Sequence, residues 1–139
     1  MKITLNRIND DYLFECANQA GNKILLDNTS QPNAQGVSPM ESVLMAVAGC
    51  SGIDMVSILK KQRQEITAFS AEVEGERVQV DEAKPFKTIL VNFFLEGDID
   101  PKKALKAAEL SFEKYCSVSK TIEPNVTVDY EVYVNSEKA

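Results

Sequence analysis

The chain of 139 residues contains no histidine and no tryptophan. Without histidine it lacks the commonest general base and the commonest transition-metal ligand, which excludes His-based triads and His-containing zinc sites. Cysteine is scarce: Cys16, Cys50 and Cys116 are the only three. Their odd number and wide spacing argue against a disulfide framework, and no two stand at metal-ligand spacing. Basic clusters are also missing. The net charge is −6 and the pI about 4.7, which disfavours nucleic acid or an anionic membrane as a partner. The opening residues, Met1 to Arg7, carry no apolar signal-peptide run. The central apolar stretch is interrupted and then followed by charged residues, which reads against a membrane span. Cytoplasm is the default location. There is no internal repeat, low-complexity segment or nucleotide-binding glycine motif.

What is present suffices for one domain with a real core, at 44% hydrophobic and 26% charged residues. The longest apolar run, Ser38 to Lys61, predicts a buried helix. Ser38 and Glu41 have capping-box spacing, Pro39 sits at the first helical position, and Lys60 and Lys61 suit the far end of the helix dipole. Gly49 and Gly52 flank Cys50 and suggest either close approach of another backbone or plain helix packing.

Before this helix, residues 2–8, 12–17 and 23–27 read as short strands separated by turns at 9–11 and 18–22. After it, 66–80 and 86–96 read as long strands. Asp100 and Pro101 open a second helix, expected over Pro101–Tyr115. A short helix over 117–122 and a last strand over 126–134 complete the order, with a frayed tail from Asn135. Strands interrupted by helices in this order predict an α+β fold with antiparallel sheets.

In a chain without histidine the thiols are the most chemically able side chains. Cys50 lies about 17 Å inside its helix, out of reach of the helix dipole, and Asp54 stands one turn on. Cys116 has Lys114 and Lys120 nearby in sequence, so local charge selects it as the more acidic thiol. Cys16, in a strand, reads as a small packing residue.

Two motifs carry a resemblance: Ser38-Pro39-Met40-Glu41 leading to Ala48-Gly49-Cys50, and Glu113-Lys114-Tyr115-Cys116-Ser117-Val118-Ser119-Lys120. Together with the element order over nearly the whole chain, they resemble the OsmC/Ohr-like family, most closely its YhfA-like branch. The resemblance implies a single OsmC-like domain over 1–139 and an intertwined homodimer with a pair of active sites at its interface. It further implies a thiol peroxidase for oxidative stress defence. The thiol matching Cys50 would attack a small apolar organic hydroperoxide and become a sulfenic acid; the thiol matching Cys116 would resolve it as a disulfide; a dithiol or lipoyl-type reductant would restore both. No metal, haem or flavin is implied.

Three positions depart from that pattern. Met40 stands where the peroxidase branch has Glu. Glu41 is one place later and, nine residues before Cys50, falls on the opposite side of a helix at about 100° per residue, which leaves it a capping role. Arg7 lies in the region where the family uses an Arg to polarise the thiolate, but in no matching motif, and Cys116 is followed by Ser117 rather than Pro. These departures keep two other readings open. One is a non-catalytic dimer in which Met40, Met45, Met55 and the phenylalanines bind a small apolar ligand. The other is a redox sensor signalling through a Cys50–Cys116 disulfide.

Overall fold

A computed structural model describes all 139 residues. The chain forms two compact units, Met1–Val43 and Leu44–Ala139.

The first unit is a three-stranded antiparallel sheet of β1 (Ile3–Arg7), β2 (Phe14–Asn18) and β3 (Lys23–Leu26), in the order β1-β2-β3. The first turn is made by Asn9, whose side-chain oxygen accepts from the amides of Asp11 (3.0 Å) and Leu13 (3.1 Å); this is the local bonding that suits Asn to turns. Arg7 closes over the same turn, donating from Nε to the carbonyl of Asp11 (2.7 Å) and from its guanidinium to that of Asp10. Cross-strand neighbours share a face, so Leu5, Cys16 and Ile24 form one row. Cys16 is buried at the centre of that row while Ile3, Leu5 and Ile24 stay exposed.

Helix α1 (Pro39–Lys61) begins at the end of this unit and runs into the second. Its start is the expected reciprocal cap: Glu41 N–H donates to Ser38 Oγ at 3.1 Å, and Ser38 N–H donates to Glu41 Oε2 at 2.7 Å. One face is buried, with Val47, Ser51, Met55 and Leu59 four residues apart and Gly52 beside them. The other sides are more open in a single chain than the apolar composition predicts: Met45 and Ile53 are 55% and 74% exposed. At 23 residues, α1 is long and apolar enough to cross a bilayer, contrary to the sequence reading. In the fold it serves as a core helix along the Val47–Leu59 face.

The second unit is built on a four-stranded mixed sheet in the order β4 (Glu65–Arg77), β5 (Phe86–Asp98), β6 (Thr127–Val134) and β7 (Glu137–Lys138). β4 and β5 are antiparallel; β5 and β6 are parallel, because the chain between them crosses over through helical segments, as parallel strands require. β5 alternates, with Ile89, Val91, Phe93 and Leu95 buried on one face. β4 ends three residues earlier than expected. The tail is not frayed: Glu137 and Lys138 pair with β6, and Lys138 bonds Glu131 at 2.6 Å.

The crossover begins with α2 (Pro101–Leu110), capped by Asp100, whose carboxylate accepts from Lys102 N–H at 2.9 Å. The helix expected to continue to Tyr115 instead widens into a π turn, Ser111–Tyr115. Helix α3 (Ser117–Ile122) follows. A file of rings holds the π turn to the sheet: Phe69 and Phe93 are 5.9 Å apart, Phe93 and Phe112 6.2 Å, and Phe112 stacks on Tyr130 at 4.9 Å. These spacings fall in the range of favourable aromatic pairing.

Candidate thiol site

The fold brings Cys50, in the middle of α1, to Cys116, at the joint between the π turn and α3. Cys50 lies close enough that both its thiol and its charge act on Cys116. All three cysteines are free thiols in this structure. Cys16 belongs to the small sheet of the first unit.

Two long-range devices set this meeting. One turn beyond Cys50 on α1, Asp54 accepts a hydrogen bond from Ser111 Oγ at 2.8 Å. Ser111 is fully buried and opens the π turn. Its carbonyl accepts the Cys116 N–H at 2.7 Å. Ser111 thus ties the backbone of Cys116 to the helix of Cys50. Single π turns within helices are found frequently at functional sites. The second device is the ring of Phe112, buried between Phe93 and Tyr130. Neither has a local sequence signal, since Asp54 and Ser111 are 57 positions apart.

The environments of the two thiols differ. Cys50 is half-buried, whereas Cys116 has no exposed surface. Burial pushes the Cys116 thiol above its ordinary pKa; hydrogen bonds from Ser119 pull it down, and Cys50 pushes it up again. Selection of Cys116 as the more acidic thiol from neighbouring lysines is therefore corrected. Lys114 lies over the Tyr115 ring, 5.5 Å from its centre, and Lys120 pairs with Glu123 at 3.2 Å. Neither contributes to the Cys116 shift. Proximity in sequence did not become proximity in space, because the π turn and α3 point both ammonium groups outward.

Ser119 is the neighbour of Cys116 that the sequence reading did not single out. Its hydroxyl donates to Cys116 Sγ at 3.2 Å and its amide at 3.5 Å. The signal was available: a polar residue three places after a residue that caps a helix is the spacing of an N-cap bond, and Cys116 does cap α3.

The other candidates have local partners or positions of their own. Glu41 is held in the cap and Arg7 on its hairpin turn. The glycines beside Cys50 divide. A Cβ on Gly52 would meet the Phe69 ring at 3.4 Å, so the close approach is of a ring rather than a backbone, while Gly49 faces open space. Met55, expected in a ligand pocket, is fully buried in the core, and Met45 is exposed. An open hollow of about 560 Å³ runs along α1, lined by Ala48, Gly49, Gly52, Ile53, Val56 and Phe69 among others.

With this geometry in place, similarity to known proteins becomes informative. Residues 32–131 match the family model described as OsmC-like protein. The chain belongs to the OsmC family. It is 41% identical to Protein YhfA of Escherichia coli over 116 residues, which is 81% of this chain and 84% of that protein. Among solved structures, a hypothetical protein from Aquifex aeolicus superposes with a TM-score of 0.80 at 29% identity, covering 96% of both chains. The organic hydroperoxide resistance protein OhrB of Bacillus subtilis shares the fold, with a TM-score of 0.61 at 23% identity over 94% of this chain and 96% of its own.

Proposed function

We propose that this OsmC-family chain is a cytoplasmic thiol peroxidase that reduces small apolar organic hydroperoxides through Cys50 and Cys116. The observation that carries this reading is the convergence of the two motif thiols from distant elements, one reachable and one enclosed. Cys50 as thiolate attacks the peroxide oxygen. The S–O bond forms, the O–O bond breaks, and the alkoxide leaves and takes up a proton as alcohol. Cys116 then attacks the Cys50 sulfur, forming the disulfide as water departs. A dithiol of lipoyl type restores both thiols by exchange.

The active form is a homodimer. Two apolar surfaces left open in one chain support this: the Ile3, Leu5 and Ile24 face of the small sheet, and Met45 with Ile53 on α1. Exposed apolar area of this kind marks association surfaces. A second reading, a dimer that binds a small apolar ligand, draws its support from the hollow along α1.

Free thiols are counted before and after an equimolar addition of cumene hydroperoxide, with Cys50→Ser and Cys116→Ser alongside. The peroxidase reading expects rapid loss of two thiols, abolished in Cys50→Ser, and a trapped sulfenic acid in Cys116→Ser. Unchanged thiols in the native protein favour the ligand-binding dimer. Slow oxidation without turnover favours a sensor.

A further inference from the structure

In the proposed cycle the Cys116 sulfur must bear negative charge twice, once when it attacks Cys50 and once when it leaves. It does so with no exposed surface. Lys114 lies over the Tyr115 ring and Lys120 pairs with Glu123, and the charge of Cys50 is of the wrong sign to help. What does help is Ser119. It is also fully buried, with its hydroxyl at 3.2 Å and its amide at 3.5 Å from the sulfur. Hydrogen bonds to a charged atom are stronger than those to a neutral one, and more so away from water.

We propose that Ser119 is a catalytic residue of the thiol pair, donating to the Cys116 sulfur as negative charge develops on it, so that the external dithiol attacks Cys50 and Cys116 is the group that leaves. This rests on the Cys50–Cys116 pair proposed above and adds a direction to it. One thiolate of the dithiol attacks the half-buried Cys50 sulfur. A bond forms between reductant and Cys50, the Cys50–Cys116 bond breaks, and its electron pair goes to Cys116, where the Ser119 hydroxyl and amide receive it. The second thiolate of the dithiol then attacks its own partner sulfur and releases Cys50. The reductant leaves as a disulfide, and its two protons finish on Cys50 and Cys116. In the forward direction, the same two donors favour the attacking Cys116 thiolate.

The test uses the full chain and two readouts. The disulfide is first formed with diamide, which makes it independent of any peroxide chemistry. The oxidised protein is then treated with β-mercaptoethanol, and the mixed disulfide is located by peptide mass mapping. The expected adduct is on Cys50, with Cys116 free. An adduct on Cys116 overturns the proposal.

The second readout is the carbon-13 β shift of labelled Cys116 in the Cys50→Ser protein, followed against pH. Ser119→Ala is expected to raise the titration midpoint by about one unit, a tenfold loss of thiolate below it, with Ser119→Thr restoring most of the shift. An unchanged midpoint in a folded Ser119→Ala protein leaves Ser119 as a helix cap only and overturns its catalytic role. Should Ser119→Ala not fold, the Ser119→Thr midpoint and the adduct mapping on the native chain still decide. Diamide disulfide without any response to hydroperoxide would refute the peroxidase and leave this inference standing on its own readouts.

Discussion

Cys50 and Cys116 are neighbours in surroundings of opposite design. Cys50 sits in mid-helix on a half-open stripe of α1, flanked by Gly49, which faces open space, and Gly52. Cys116 is sealed at a joint where a π turn meets a short helix, tied by Ser111 from behind and Ser119 from in front. The difference shows how one pair of identical side chains acquires two environments. In the proposed cycle, access suits Cys50 to meet substrate, and enclosure with a few donors suits Cys116 to meet only its partner. Sequence-local charge, which pointed to Cys116 as the more acidic thiol, is overridden by burial.

Opening the enclosure around Cys116 should blur this contrast most. Phe112→Ala removes a ring packed between Phe93 and Tyr130 and should cost about 3–5 kcal/mol of stability. Denaturant titration measures the loss, and iodoacetamide labelling should find Cys116 newly reactive. Continued protection of Cys116 in a destabilised variant would mean that the ring stabilises the fold without sealing the thiol.

Ser111→Ala is the next largest change. It leaves the Asp54 carboxylate without its 2.8 Å donor, at about 1–3 kcal/mol. It should also slow disulfide formation, because the tie between the two thiol-bearing elements is cut. Stopped-flow kinetics of diamide oxidation would show this, and an unchanged rate would deny Ser111 its positioning role.

The pH dependence sharpens the comparison more gently. Burial raises the Cys116 pKa in the folded chain. Above the ordinary thiol range the unfolded chain has lost this proton while the folded chain keeps it. The contribution of Cys116 to stability is therefore present below that range and declines as pH rises through it. Cys116→Ala should flatten this alkaline decline in melting temperature.

The smallest effect expected is at the far end of α1. Ser38→Ala removes the cap bond to Glu41 and should cost about 1 kcal/mol, leaving thiol chemistry unchanged. A loss of activity on Ser38→Ala or Glu41→Gln would return Glu41 to the site, against its place in the cap.

Much of this architecture was legible in the sequence, for reasons that can be named. The caps at Ser38 and Asp100, the alternation of β5 and the chain order follow from local rules that act over a few residues. The thiol motifs carried the family. Three features were not legible. The π turn replaced the last turn of α2 because Phe112 and Ser111 answer to partners on β5, β6 and α1, not to local propensity. The paired tail depends on a partner strand in β6. The exposure of Met45 and Ile53 on an apolar helix depends on which elements pack against each of its sides, and composition alone does not show that.

The central claim is that Cys50 and Cys116 form the working pair, and peptide mapping tests it most directly. The native protein is treated with an equimolar organic hydroperoxide, alkylated without reduction, digested and analysed by mass spectrometry. The account predicts a Cys50–Cys116 linkage as the dominant product, with Cys16 alkylated as a free thiol. A disulfide that includes Cys16, or Cys50 and Cys116 both recovered as free thiols, would contradict it.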